Sequence, residues 1–206
     1  MSGAFPISTA KFETLGIRSI QKTIISKSDS GKKLARQIDG QRFGFTARII
    51  TAKRSDVYGD LMAFIIKQRS AKENFTIIPP EVEDARGVET GTLAVNGSHT
   101  AGDTTIAIDG FAADTANRLR TGDFIKFNGH TKIYMVVADV TSSSNAATVT
   151  IEPPLVSALA NDETVSYDNI PFTVHLTNDI QEFGVVGADK SGNLLYKFEI
   201  DVEEAI

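Results

Sequence analysis

The sequence predicts a mainly β protein: a β-sandwich with one flanking α-helix, interrupted by a small inserted β-barrel. Three observations predict this class. Much of the chain alternates apolar and polar residues with period two, which is typical of strands with one buried face. A single segment has the apolar spacing of an amphipathic helix. Between residues 88 and 170 the pattern changes to short strands separated by frequent turns.

Length and composition are those of an ordinary globular protein. A chain of 206 residues can form one large or two small domains with a genuine core. No apolar run approaches the roughly 20 residues of a membrane helix. The N-terminus lacks a basic segment followed by an apolar run, so we expect no secretory signal and synthesis in the cytoplasm. The absence of cysteine excludes disulfides, thiolate catalysis and cysteine-bound metals.

The net charge of −5 hides a strong polarity along the chain. Residues 1–54 hold eleven Lys and Arg against three Asp and Glu, whereas residues 88–170 hold four against ten and residues 171–206 two against seven. Since like charges repel, the basic and acidic regions are expected to face each other. They can meet between copies of the chain, or within it if an acidic C-terminal strand lies beside a basic N-terminal one. The two arrangements are compatible.

Residues 11–54 predict two long strands joined by a polar tip. The first strand, Leu15–Ser26, has isoleucines on both faces, so it is either buried on both sides or meets a partner. The tip, Lys27–Lys33, has the composition of a solvated turn. It is not a phosphate-binding loop, because Ser26 stands where glycine is required and Lys33 where Ser or Thr is required.

The second strand leads into the single predicted helix, Asp56–Ser70, with Ser55 as its N-cap. The buried face of the strand consists of Phe43, Phe45, Ala47 and Ile49. The apolar stripe of the helix consists of Val57, Leu61, Phe64 and Ile65. A lone helix among strands can bury such a stripe only against a sheet, so this segment marks the main core. A short strand, Asn74–Ile78, and two prolines follow.

The middle section predicts a small closed barrel, because five or six short strands occur there without a helix. The candidate strands are Thr92–Val95, Thr104–Ile108, Asp123–Asn128, Thr131–Val140, Ala147–Ile151 and Thr164–Tyr167. Asn128-Gly129 predicts a type I′ hairpin, and Thr121–Asp123 a second turn. The acidic segment Glu81–Gly87 before them is interpreted as a connector.

The last section returns to long alternating strands. Phe172–Thr177, Phe183–Ala188 and Leu194–Val202 are predicted strands, and Asp189–Asn193 is a predicted turn. We therefore predict that residues 1–87 and 171–206 form one discontinuous domain, into which residues 88–170 are inserted as a second domain. A tandem of two domains is the alternative, although the 36 residues 171–206 could not fold alone.

The sequence offers little chemistry. His99, His130 and His175 have no metal-ligand spacing, and we expect them to be exposed polar residues, with no metal and no cofactor. No nucleophile motif occurs, so we expect no enzyme activity. Nucleic-acid binding by the barrel is disfavoured by its net charge of −6. Its Phe124 and Phe127 are expected to fill the barrel interior.

The chain resembles the distal tail proteins of long-tailed bacteriophages, the ring-forming adaptors beneath the tail tube. In the outer sections the likeness lies in Asp39–Arg54, in the helix Asp56–Ser70 running into Phe75–Pro80, and in the strands Phe172–Thr177 and Leu194–Val202. In the middle section it lies in Leu119–Phe124, Tyr134–Val136 and Val149–Leu155.

The resemblance implies a tube-type β-sandwich and an outward-projecting barrel similar to the oligonucleotide/oligosaccharide-binding (OB) fold. It also implies a homo-oligomer, a hexameric ring in the virion tail, which contacts the tail-tube protein and the baseplate hub protein. DNA would pass through the channel without sequence recognition, along an acidic lining, and no membrane would be involved. We expect contacts between subunits through the first strand and its tip, at Ile20, Ile24, Lys27, Lys32, Lys33 and Arg36.

Two other functions fit the pattern less well. A tail-tube, tube-terminator or baseplate-hub subunit of a contractile phage would share the same core. A glycan- or receptor-binding β module would use the inserted barrel, but the predicted loops Asn96–Asp103 and Thr141–Ala146 contain none of the aromatic residues that such a module needs.

Overall fold

The computed structural model describes residues 3–7, 11–38 and 40–206. Within these residues the chain forms fourteen strands and one α-helix, α1 (Gly59–Lys67). The strands are β1 (Phe12–Ile20), β2 (Thr23–Lys27), β3 (Lys33–Gln37), β4 (Arg42–Lys53), β5 (Phe75–Ile77), β6 (Leu93–Val95), β7 (Thr105–Asp109), β8 (Phe124–Phe127), β9 (Tyr134–Val136), β10 (Ala146–Glu152), β11 (Thr164–Ser166), β12 (Phe172–Leu176), β13 (Gly184–Ala188) and β14 (Leu194–Glu204). The predicted fold class is confirmed: the protein is mainly β, with a closed small barrel beside the main sheet.

The main sheet is built from strands of both ends of the chain. Its order is β1-β4-β14-β12-β5, and β13 also pairs with β14. The long central pair β4–β14 is antiparallel, with Ala47 opposite Ile200. The β5 edge is extended by the N-terminal segment, where the Phe5 N–H donates to the Thr76 carbonyl at 2.7 Å. The predicted domain boundaries, 1–87 with 171–206 and 88–170, stay a prediction.

Alternation along β4 and β14 buries one face of the sheet under the helix. The buried side chains are Phe43, Phe45, Ala47 and Ile49 of β4, Phe198, Ile200 and Val202 of β14, and Val57, Leu61 and Ile65 of the helical segment. Phe64 is half-buried and packs edge-on against Phe5 and Phe75, with ring centroids 5.8 Å and 5.4 Å away. The apolar residues of the alternating strands and those of the helix therefore pack together in one core.

The predicted N-cap is wrong. Ser55 lies in a π-helical turn, Arg54–Tyr58, that precedes α1, and its hydroxyl donates to the Asp56 carboxylate instead of capping a backbone N–H. The wide turn places the Tyr58 ring in the core, where its hydroxyl donates to the Ile50 carbonyl at 3.0 Å. The buried tyrosine, rather than a cap, thus fixes where the helix begins.

The predicted long strands of residues 11–54 are each split in two. Residues 21–22 separate β1 from β2, and β3 ends before β4 begins; Asp39, the first residue of the segment that carried the resemblance, lies outside the described residues. β1 pairs with β4, whereas within the described part of the chain β2 and β3 pair only with each other, as a separate two-stranded ribbon. The pairing of β1 with β4 ends at Ile20 and Arg42 because the ribbon leaves the sheet there.

The predicted closed barrel is confirmed, with strand order β10-β7-β6-β11-β8-β9. Its interior is filled by alternate residues of these strands, including Leu93, Ile106, Ile108, Ile125, Phe127, Val136, Val149 and Ile151. The turn before β8 is also confirmed: Gly122 has φ +95°, and the buried Asp123 accepts from the backbone N–H groups of Arg86, Gly87 and Arg120. The connector is accordingly anchored rather than solvated, and its Val82 belongs to the main core.

The predicted type I′ hairpin between β8 and β9 is wrong. Neither Asn128 nor Gly129 has a positive φ, and the connection extends over residues 128–133. The Gly129 N–H donates to the Glu163 carboxylate at 2.5 Å, and the rest of the loop turns Lys132 into the protein interior. The loop is longer than a tight turn because it contacts the main sheet.

Candidate assembly surfaces

The ribbon β2–β3, residues 23–37, is here called the arm. All ten residues of its two strands are exposed. Among them are Ile24 and Ile25, each 56% exposed, and Leu34 at 52%. An isolated two-stranded ribbon is only marginally stable in water, and exposed apolar side chains on both of its faces favour contact with another surface. The arm is therefore the first candidate for an interface.

The residues predicted to contact another subunit lie on or beside the arm. Ile20 ends β1 and is half-buried, whereas the other five are exposed: Ile24, Lys27, Lys32, Lys33 and Arg36. The register places Ile24 opposite Arg36 on one face and Lys27 opposite Lys33 on the other. The structure thus places five of these side chains on the arm and Ile20 just before it, and their contact with a second copy stays a prediction.

The sheet has free edges at β1 and β13. Among the described residues, β1 pairs only with β4, and β13 pairs only with β14. Val185 and Val186 of β13 are 52% and 47% exposed. This strand contains neither proline nor lysine, but its register shifts between Val185 and Gly187, an irregularity of the kind that natural proteins place at exposed edges. With its exposed valines, the unpaired edge is still able to pair with a strand of another chain.

The face of the sheet opposite the helix is polar, and its charges are paired across strands. Arg18 of β1 reaches Asp201 of β14 at 2.6 Å, passing over Gly44 of β4, where a Cβ would lie 2.9 Å from the Val202 carbonyl oxygen. Arg42 pairs with Glu203 in the same way at 3.0 Å. The acidic C-terminal strand thus lies beside the basic N-terminal one. This is the arrangement within one chain, one of the two that the charge distribution predicted.

Asp201 is held by several groups at once. Burial raises the pKa of its carboxyl, but hydrogen bonds from Thr177, Thr46 and Arg18 outweigh burial and bring the pKa below its usual value. The Thr177 hydroxyl donates at 2.7 Å and the Thr46 hydroxyl at 2.9 Å. This carboxylate therefore stays ionised and links β14 to β1, to β4 and to the residue that follows β12.

The barrel docks on the same face of the sheet as the helix. Phe124 of β8 packs against Phe43 and Phe172, with ring centroids 5.4 Å and 5.9 Å away. The expectation that Phe124 fills the barrel is wrong, since its strand turns it outward to the sheet; Phe127 does lie inside the barrel. Ile133 and Met135 join the same contact.

One carboxylate joins the sheet to the barrel. Glu204 of β14 accepts the Phe43 N–H at 3.0 Å, the Ile133 N–H at 2.7 Å and the Lys132 ammonium at 2.5 Å. Both charged side chains are 0% exposed. Burial lowers the pKa of Lys132, and the neighbouring Glu204 carboxylate opposes this shift. The ammonium also lies 4.6 Å from the centre of the Phe43 ring, a favourable cation–π contact.

Sequence reasoning missed this pair, although one signal was present. Period-two alternation from Phe198 through Ile200 and Val202 places Glu204 next on the buried face. A carboxylate at such a position requires a buried partner. No pattern in the sequence identifies Lys132 as that partner, because the two residues come together only when the barrel docks.

The histidines are not the exposed residues that we expected. His130 is buried, with Nδ1 2.8 Å from the Tyr134 hydroxyl and Nε2 2.8 Å from the Ser157 hydroxyl. His99 Nε2 accepts the Ala107 N–H at 3.2 Å. Both imidazoles thus support the barrel. Within the described residues, no group of three His, Asp or Glu side chains could hold a metal ion.

A second buried pair closes one end of the barrel. Glu89 accepts from Arg118 at 2.6 Å and from the backbone N–H groups of Thr90, Gly91 and Ala112. Burial raises the pKa of Glu89, but these hydrogen bonds outweigh it and bring the pKa down to about 2. The carboxylate therefore organises the strand ends around it.

Among the described helices, none is both long and apolar enough to cross a membrane.

Comparison with known proteins identifies the barrel. Residues 85–170 match the family described as "Distal tail protein pb9, B domain". A search of curated proteins found no match. The matched residues include the barrel and the anchored end of the connector, so the resemblance to a phage distal tail protein is confirmed there. The match supports a structural role in a phage tail, and such a role suggests a non-enzymatic protein.

Proposed function

We propose that this chain, a phage tail component whose residues 85–170 match a distal tail protein domain, is the adaptor between the tail tube and the baseplate. Six copies would form a ring around the channel through which DNA passes. The ring would contact the tail-tube protein on one side and the baseplate hub protein on the other. The observation that carries this proposal is that two edges of the sheet, β1 and β13, have no further pairing strand among the described residues.

The two free edges lie on opposite sides of the central pair β4–β14. β1 flanks β4, and β13 flanks the N-terminal half of β14. In the ring, β1 of one copy pairs with β13 of the next, so that the sheet continues from copy to copy. Such a contact joins different surfaces of the two partners, and it closes into a ring when the rotation between copies is a simple fraction of a turn.

The polar face of this continuous sheet would line the channel, because α1 and the barrel occupy the other face. Arg18, Arg42 and Arg48 on this face lie beside Asp201, Glu203 and Glu199. A lining of paired charges offers DNA few free cations, and phosphate binding depends on cations that can replace counterions. DNA could therefore slide past without being held, although the lining is more nearly neutral than the acidic one that the resemblance implied.

The mass of the purified protein in solution tests the ring. Sedimentation or native mass spectrometry is expected to find a species of six times the 22.2 kDa chain, and electron microscopy a ring with an open centre. Val186→Lys places a charge at the β13 edge and should abolish the ring. Val88→Lys makes the same change at a side chain that is 59% exposed outside the sheet, and should leave the ring intact.

Some ring proteins assemble only on their neighbours, so the measurement is repeated on purified phage tails. Antibody against the protein should then label the junction between tube and baseplate. A chain that is monomeric at all concentrations and absent from this junction would contradict the proposal.

A further inference from the structure

We propose that, in the ring of the proposed function, the basic arm of each copy docks on the acidic outer surface of the barrel of the adjacent copy. The inference rests on that ring and specifies a contact that the ring alone does not require. Three features of the molecule support it: the opposite charges of the arm and the barrel surface, their position at the same end of the sheet, and one row of barrel residues.

The arm carries an excess of free positive charge. Residues 23–37 contain four Lys and Arg and one Asp, and a fifth cation, Lys22, directly precedes them. In the described part of the chain, none of these five cations forms an ion pair. Their positive field, together with exposed Ile24 and Leu34, is therefore available to a partner that is acidic and partly apolar.

The barrel surface is more acidic than its net charge indicates. Residues 88–170 contain ten Asp and Glu and four Lys and Arg. Three of these four cations are turned into the protein: Arg118 pairs with Glu89, Lys132 pairs with Glu204, and Lys126 donates to the Pro171 carbonyl at 2.9 Å. Exposed carboxylates remain at Asp114, Asp139, Glu152, Asp162 and Asp168. The outer surface of the barrel thus complements the arm.

The arm and the barrel leave the sheet at the same end. The arm begins after Ile20, which lies opposite Arg42 at the start of β4. Phe43, the next residue, contacts the barrel through Glu204 at the end of β14. Rotation about the ring axis keeps all arms and all barrels at one level. The arm joins the sheet at its β1 edge, which borders the next copy in the proposed ring, so the barrel of that copy lies at the level of the arm.

One row of residues across the barrel indicates where the arm would land. Phe124, Met135 and Glu152 lie side by side on β8, β9 and β10. The first two pack against the sheet of their own chain, and Glu152 continues the row as an exposed residue. Val137, 39% exposed, follows on the same side, where its N–H donates to the Thr150 carbonyl. A carboxylate beside an apolar side chain matches the arm face that presents Ile24 and Arg36.

Zero-length cross-linking tests the contact directly. Rings are formed from an equal mixture of ¹⁴N- and ¹⁵N-labelled chains and treated with a carbodiimide, which joins a lysine amine to a carboxylate that touches it. Mass spectrometry is expected to find Lys32, in the turn of the arm, joined to Glu152 or Asp162, with half of the linked peptides carrying mixed labels. Mixed labels prove that the two residues belong to different copies.

Charge reversal tests the same contact through assembly. Arg36→Glu or Glu152→Lys alone should weaken ring formation about tenfold or more, and the double variant should recover most of it, because reversing both charges restores attraction. Lys72→Glu, an exposed lysine outside the arm, is the matched control and should have no effect. Unchanged thermal unfolding of each monomer would show that the variants fold.

The outcomes separate this inference from the ring itself. Intact rings whose arm lysines couple only to carboxylates of the sheet, or to none, would overturn arm–barrel docking and leave the ring standing. Rings that are indifferent to both charge reversals would do the same. Absence of any ring would overturn the proposed function, and the docking with it.

Discussion

Removing the charge of Lys132 should uncouple the barrel from the sheet. In Lys132→Met the side chain stays unbranched and is one atom shorter, because it loses the ammonium that lies 2.5 Å from Glu204 Oε2. Breaking a fully buried ion pair by removing one partner costs about 3–5 kcal/mol, since the other charge is left in a medium that cannot solvate it. Here the carboxylate keeps the N–H groups of Phe43 and Ile133 as donors. We therefore expect the lower value, about 3 kcal/mol.

The assay is thermal unfolding followed by circular dichroism or calorimetry. For a chain of this size each kcal/mol lowers the melting temperature by about 2–4 °C, so Lys132→Met should melt about 6–12 °C lower. Lys72→Met removes an exposed lysine and should stay within about 0.5 kcal/mol of the unsubstituted protein. Because the sheet and the barrel have separate hydrophobic cores, the calorimetric trace should also divide into two transitions once they are uncoupled.

A double-mutant cycle with Glu204→Gln identifies the cause. The single Glu204→Gln variant leaves the Lys132 ammonium buried without its counter-charge and should cost as much as Lys132→Met. In the double variant no charge is buried, and the amide oxygen still accepts one backbone N–H, so its loss of stability should be clearly smaller than the sum of the two singles. A Lys132→Met protein that melts within about 2 °C of the original, or strict additivity in the cycle, would refute this reasoning.

Three further outcomes are expected. Glu89 has a folded pKa of about 2, below its unfolded value, so its stabilisation is complete above about pH 4.5 and is lost as pH falls toward 2; the melting temperature of Glu89→Gln should therefore fall less between pH 5 and pH 3. Gly110→Ala places a Cβ 2.1 Å from a backbone oxygen at φ +84° and should cost more than about 3 kcal/mol by urea unfolding, whereas Gly102→Ala, at φ +96° with open space, should cost about 1 kcal/mol. Arg18→Gln should cost about 1 kcal/mol in the same measurement. Arg48→Gln should cost almost nothing, because the ion pairs of Arg48 are 3.6 Å and 4.0 Å long and exposed. Equal losses for the two glycine variants, or for the two arginine variants, would contradict the close contact at Gly110 or the ion pair of Arg18, respectively.

Much of the fold could be predicted because side-chain period reports directly on secondary structure. The strands β4, β12 and β14, the helical stripe and the barrel strands all follow from apolar spacing. The misses have a common cause. The Asn128-Gly129 turn and the Ser55 cap are local signals, and in each case a tertiary contact changed the backbone: the docking of the loop in the first, burial of Tyr58 in the second. The arm was missed as a separate element because exposed and buried strands share the same residues.

The candidate interface could be predicted only in part. The basic, two-faced stretch around Ile24 and Lys33 is visible in the sequence because unsatisfied apolar residues need a partner wherever they lie. The free edges β1 and β13 are not visible there, since whether a strand is central or at an edge depends on which strands flank it. The same is true of Glu152, which acquires its place beside the sheet only through the register of β8, β9 and β10.

The sequence by itself determined the class of the protein: strands with one wet face, one helix with a buried stripe, a compact barrel in the middle, and a basic beginning with an acidic remainder. These are properties of composition and spacing, and they hold before any contact is made. Only the tertiary structure decided that β4 lies beside β14, that Lys132 meets Glu204 and that the arm stands free, because each of these depends on residues that are distant in the chain coming to one place.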